Sequence, residues 1–135
     1  MCAMKDRTPS RILVIDDDID LLMLLERILQ KHHYHVETAA SISEAEEIIP
    51  FFDPQLVLLD INIKGEDGRQ LCWKLKKSET PLQAKVLIMS GYDYNTGRAL
   101  IFGADALLPK PLHTDFLLSQ VELHLAASYR AKQIS

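Results

Sequence analysis

Asp60 closes an unbroken apolar run, Leu56-Val57-Leu58-Leu59. Four such residues together describe a strand buried on both faces, where an aspartate is out of place and costly to leave unpaired. Three other apolar runs end in the same abrupt way. Ile12 to Ile15 gives way to Asp16-Asp17-Asp18, Val86 to Met89 to Ser90-Gly91, and the short run at 105–109 to Lys110-Pro111. Asp16, Asp17 and Asp60 are hard oxygen donors with no Cys or His near them in the chain, the ligand type of Mg²⁺ or Mn²⁺. Three carboxylates brought together repel one another, so a cation belongs among them. Lys110 adds an ammonium that can pair with Asp60 or with a phosphoryl oxygen, and Ser90 adds a hydroxyl donor. A metal ion, a lysine and a hydroxyl around one carboxylate make a site for phosphoryl transfer to that carboxylate. The cations stabilise charge on the equatorial oxygens, and Asp60 is the in-line nucleophile.

Each residue also has a plainer reading. An aspartate after a strand is most often a cap or turn residue, but Asp18 and Asp67 are placed to cap the helices that follow. That leaves Asp16, Asp17 and Asp60 without a structural task. Ser-Gly and Lys-Pro are ordinary loop pairs taken singly; all four pieces at the same end of different strands are not ordinary. His32, His33 and His35 straddle a helix end and a strand start and read as a solvated turn, and His113 and His124 as surface residues of the last helix. Trp73 reads as a core or partly buried anchor in the third helix. Cys2 and Cys72 match no metal spacing, and Cys72 reads as a small buried residue, its thiol reduced in a cytoplasmic setting.

The elements that must position these groups alternate. Strands are expected at 11–16, 35–39, 56–60, 84–90 and 105–109. Helices are expected after Asp18, from the capping box Ser41-Ile42-Ser43-Glu44 to a stop at Pro50, from Asp67-Gly68-Arg69-Gln70 to about Lys77, near 95–102 with a stop at Gly103, and from about 113 to 130. Strand–helix alternation of this kind makes an α/β fold, a parallel sheet with helices on both faces. Ligands of such sheets sit beyond the carboxyl ends of the strands, where the polar groups collect. The 135 residues suit one domain: a disordered lead at 1–10, the domain at 11–130 and a tail at 131–135. A net charge of −4 argues against a nucleic-acid-binding face. The apolar stretch at 21–25 is too short to cross a membrane, and the N-terminus has no signal-peptide pattern.

Taken together, the acidic pair Asp16-Asp17 after Ile-Leu-Val-Ile, Asp60 after Leu-Val-Leu-Leu, Asp67-Gly68, Ser90-Gly91, Gly103-Ala104 and Lys110-Pro111 strongly resemble the receiver domain of two-component response regulators, over about residues 11 to 128. That resemblance implies a five-stranded flavodoxin-like parallel sheet of order 2-1-3-4-5. It implies that Asp60 is the phosphoacceptor and that Asp17 and Asp60 ligate Mg²⁺, with Asp16 acting through water and the backbone carbonyl of Asn62 as a further ligand. Ser90 and Lys110 would hold the phosphoryl group, and the Lys110–Pro111 peptide would be cis. The donor would be a sensor histidine kinase or a histidine phosphotransfer protein. An output domain or partner, or a second copy in a phosphorylation-dependent homodimer, would read the face built from the fourth helix, fifth strand and fifth helix. The chain departs from the family pattern twice. Ile63-Lys64 replaces the usual Met-Pro, which is expected to loosen that loop without loss of chemistry. Leu107 stands at the aromatic switch position that works with Ser90, so the signal is expected to leave through residues 91 to 103. Two rivals are a haloacid-dehalogenase-like phosphatase, which lacks its later acidic motif here, and a pseudo-receiver binding module that is not phosphorylated.

Overall fold

In a computed structural model of the chain, which describes residues 8–77, 83–91 and 103–134, the apolar runs become the parallel strands β1 (Arg11–Ile15), β2 (His35–Ala39), β3 (Leu56–Asp60), β6 (Lys85–Ser90) and β7 (Ala106–Pro109). Two-residue strands β4 (Asn62–Ile63) and β5 (Glu66–Asp67) form a small antiparallel hairpin between β3 and the next helix. The main sheet has the order β2-β1-β3-β6-β7, the expected 2-1-3-4-5 once the hairpin is set aside.

Alternation along the strands explains the two-sided burial. Leu13, Ile15, Val57, Leu59, Val86 and Ile88 point to one face, under helices α2 (Ile42–Phe52) and α3 (Gly68–Lys77). Ile12, Val14, Leu56, Leu58, Leu87 and Met89 point to the other, under α1 (Ile19–Lys31) and the C-terminal helix (Thr114–Ile134). Successive strand residues face opposite ways, so the inner strands of a sheet covered on both sides are apolar at consecutive positions, while edge strand β2 keeps His35 and Glu37 exposed.

Capping follows the sequence at α1 and α2, while at α3 Asp67 bonds Arg69 rather than Gln70. Asp18 accepts the Leu21 amide at 3.2 Å and opens α1. Ser41 accepts the Glu44 amide, while the Glu44 carboxylate takes the Ala40 amide. Asp67 precedes α3 and accepts the Arg69 amide at 2.9 Å, and its two oxygens grip the Arg69 guanidinium. That grip holds the Asp67 carboxyl below its ordinary pKa.

Three details differ from the sequence reading. Pro50 does not close α2, which continues to Phe52 and ends at Asp53 in a left-handed conformation, φ 50°. A proline this near a helix end removes one amide hydrogen bond without stopping the last turn. Trp73 is not a core residue: it is 45% exposed and lies under the Lys77 ammonium, 5.4 Å from its ring. The inner stripe of α3 is Leu71, Cys72 and Leu75 instead. The last helix runs four residues beyond 130, to Ile134. The helix expected near 95–102 lies outside the described residues. Cys72 is fully enclosed, and burial pushes its thiol pKa up to about 11.

Candidate functional site

Parallel pairing of β1, β3, β6 and β7 brings their carboxyl ends into one rim, with Asp60 opposite Met89 and Ser90 opposite Pro109. Asp16 is held from several sides. Its amide donates to Ala39 across to β2, its Oδ1 accepts the Asp18 amide at 3.0 Å, and its Oδ2 accepts Lys110 Nζ at 2.8 Å. The same ammonium lies 3.3 Å from Asp60 Oδ1. Lys110 is carried there by β7, and its own amide donates to the Ser90 carbonyl. The Lys110–Pro111 peptide is cis, as the resemblance implies.

Asp16, Asp17 and Asp60 each present a carboxylate oxygen within 4.8 Å of the other two. Asp16 and Asp60 are buried and Asp17 is exposed, so the cluster opens to solvent on the Asp17 side. Its chemistry fits a hard divalent cation: three oxygen donors, no sulfur or imidazole, and a surplus of negative charge that one lysine does not neutralise.

Electrostatics mark the same spot. The pKa of Asp60 is raised, first by burial and then by the charge of Asp16, with Lys110 and the Ile61 amide opposing. Burial works against the charge of Lys110, but the hydrogen bond and charge of Asp16, followed by Asp60, outweigh it and raise the lysine pKa. A buried carboxyl and an ammonium perturbed by one another at a sheet's carboxyl rim are the marks of a functional site.

Ser90 is buried at the end of β6, and its carbonyl ties it to Lys110. Asn62 is exposed, two residues past Asp60 in β4, and pairs with Asp67 across the hairpin. Leu107 is only partly buried, packed against the core under α2 and α3. Of the residues singled out from sequence, Asp16, Asp17, Asp60, Ser90 and Lys110 share the rim, Asn62 borders it, and Leu107 stands back from it on β7.

Two features escaped the sequence reading. The amide of Lys64 donates to Asp17 Oδ2 at 2.8 Å, so the Ile63-Lys64 segment belongs to a hairpin bonded to the acidic pair. Its turn, Lys64-Gly65, has positive φ at both residues, 53° and 83°, the twist that suits a two-residue hairpin. The second feature is the close backbone contact at Gly68, a residue singled out from sequence only as part of the Asp67-Gly68 pair. A Cβ there would overlap the Asp60 carbonyl oxygen, and the Gly68 amide donates to the Ile61 carbonyl at 2.7 Å. The start of α3 therefore lies directly against the backbone that carries Asp60.

A parallel sheet of this order carries an acidic cluster and a lysine at its carboxyl rim. The model of the response regulator receiver domain matches residues 12–122, and the chain belongs to that family. Among solved structures, the chain is similar to a CheY-like receiver domain protein from Methanospirillum hungatei, with a TM-score of 0.82, 29% identity, and coverage of 92% of this chain and 99% of that one. It is also similar to the BeF3-activated N-terminal receiver domain of RstA from Klebsiella pneumoniae, with a TM-score of 0.78, 30% identity, and coverage of 86% and 98%. NtrX from Brucella abortus matches at a TM-score of 0.85 and 29% identity, over 94% of this chain but 29% of that longer one. The domain is thus a signalling module of two-component systems rather than an enzyme acting on outside substrates, and neither rival reading finds support. Among the described residues, no helix is long and apolar enough to cross a membrane.

Proposed function

We propose that Asp60 accepts a phosphoryl group from a phosphohistidine of a sensor kinase or histidine phosphotransfer protein, and that the resulting charge switches the domain in the cytoplasm. The observation that carries this reading is the position of Asp60 Oδ1, 3.3 Å from Lys110 Nζ and within the three-carboxylate cluster. An Asp60 oxygen attacks phosphorus, forming an acyl phosphate. The bond from phosphorus to the donor imidazole breaks, and its electron pair stays on the imidazole nitrogen, which takes a proton. Lys110 leaves its two carboxylates to pair with a phosphoryl oxygen, and the Ser90 hydroxyl donates to another. Asp17 and Asp60 would hold Mg²⁺, or Mn²⁺, with Asp16 acting through water and the Asn62 backbone carbonyl as a further ligand. When bound, the ion supplies positive charge against the carboxylates and the phosphoryl oxygens.

The phosphoryl group carries about −1.5 to −2 at neutral pH where the Asp60 carboxylate carried a single negative charge, and it draws Ser90 and Lys110 toward Asp60. Leu107 has no hydroxyl with which to exchange partners. The change is therefore expected to pass into residues 91 to 103, most of which lie outside the described residues, and an output domain, a partner protein or a second copy would dock beside β7 and the C-terminal helix.

Incubation with acetyl phosphate and Mg²⁺, followed by mass spectrometry, tests the reading. A labile phosphoryl adduct on Asp60 is the expected result. The absence of any adduct leaves the pseudo-receiver reading, and continuous phosphate release the phosphatase.

A further inference from the structure

The β4–β5 hairpin does more than connect β3 to α3. Its Lys64 amide reaches back across 47 residues of sequence to Asp17 Oδ2, at 2.8 Å. Asp17 is the exposed member of the acidic cluster, so this amide restrains the carboxylate that solvent would otherwise leave free to rotate. Asp16 needs no such help, because the Asp18 amide and Lys110 already hold both of its oxygens. Asp60 is fixed by burial and by Lys110.

The bond depends on an unusual backbone. Lys64 has φ 53° and Gly65 φ 83°. This turn directs the Lys64 amide away from the hairpin's own pairing, which joins Asn62 to Asp67 and Ile63 to Glu66. A proline at 64 could neither donate an N–H nor adopt a positive φ.

We propose that the Lys64 main-chain amide is a positioning group for the metal site: it orients Asp17 toward Asp16 and Asp60, and so sets the affinity of the rim for a small divalent cation. The inference rests on the metal site proposed above. A donor to one carboxylate oxygen leaves the other to face the ion and lowers the rotational freedom lost on binding. Partners of this kind typically govern about 10- to 100-fold in metal affinity.

The test separates the amide from the side chain. Lys64→Gly and Lys64→Pro both remove the ammonium, but only Lys64→Pro removes the N–H. Mg²⁺ binding is measured by calorimetry on the wild-type chain and both variants, with folding checked by circular dichroism. Lys64→Gly is expected to bind within about 2-fold of wild type, and Lys64→Pro about 10-fold or more weakly. Equal affinities for the two variants overturn the inference while leaving the metal site standing. Failure of the wild-type chain to bind Mg²⁺ overturns the metal site and the inference together. Should Lys64→Pro not fold, exchange of the Lys64 amide proton is followed by NMR in the wild type and in Asp17→Ala. Loss of protection in Asp17→Ala supports the bond, and identical exchange in both overturns it.

Discussion

Two groups of charges sit at opposite ends of the same sheet. At the amino ends of β6 and β7, Asp105 meets two lysines. Lys76 Nζ lies 3.0 Å and Lys85 Nζ 3.8 Å from its carboxylate. Lys76 also donates to the Ala84 carbonyl, and the Val86 amide donates to Asp105. At the carboxyl ends, three carboxylates cluster, and one lysine pairs with two of them, Asp16 and Asp60. Hydrogen bonding does not distinguish the two, for among the described residues no buried side-chain nitrogen or oxygen lacks a partner. Charge does. At the amino end two ammoniums face one carboxylate and join α3 to the sheet, whereas at the carboxyl end the carboxylates outnumber the one lysine. The first joins elements of the fold; the second has the charge that the proposed cation site requires.

Substitutions at the two ends should therefore fail in different ways. The largest effect is expected from Asp60→Asn, which removes the nucleophile. The acetyl phosphate adduct should vanish entirely by mass spectrometry, and a persistent adduct elsewhere on the rim would break the assignment. Asp17→Asn keeps size and shape but removes a charged ligand. Its Mg²⁺ affinity by calorimetry should fall about 10- to 100-fold, without unfolding, since relief of repulsion favours the metal-free chain.

Asp105→Ala sharpens the contrast from the other end. It leaves the Val86 amide and the Lys76 ammonium short of a partner, at a cost of about 2 kcal/mol in denaturant unfolding, with Mg²⁺ affinity unchanged. A change in affinity there would show that the two ends are coupled. The smallest effect concerns pH. Because the Asp60 pKa is raised in the fold, ionising it opposes folding, and that penalty is present above the folded pKa and absent below the unfolded one. Without metal, Asp60→Asn should thus be more stable than wild type at neutral pH. The gap should narrow as pH falls through the raised Asp60 range, and a gap independent of pH would show that Asp60 carries no such penalty.

Most of the sheet and rim was legible because both rest on strong local signals. Apolar runs such as Leu56 to Leu59 stop at a charge where a strand leaves the core, so the strand ends mark the site in the sequence itself. The order of the strands came with the family resemblance, since alternation alone fixes a parallel sheet but not its sequence of neighbours. The β4–β5 hairpin was not legible: two-residue strands are too short to show a period, and Lys64-Gly65 is a weaker turn signal than Asn-Gly. Trp73 misled because size suggests a core anchor, whereas its place on α3, opposite Leu71 and Leu75, puts it toward solvent. Pro50 misled for the converse reason, a strong breaker placed where the helix was already ending.

The enclosure of Cys72 gives the protein a stopwatch of its own. Thiols react as thiolates, and this one is walled in beneath α3 with a pKa of about 11. An alkylating reagent at neutral pH can reach it only when α3 lifts from the sheet, so the labelling rate at Cys72 counts those openings. The start of α3 lies against the Asp60 carbonyl, close to the carboxylates that would hold a cation. A ligand that holds the closed form lengthens the waiting time by mass action, and alkylation in rising Mg²⁺ would report occupancy of the rim from a sulfur atom buried in the core.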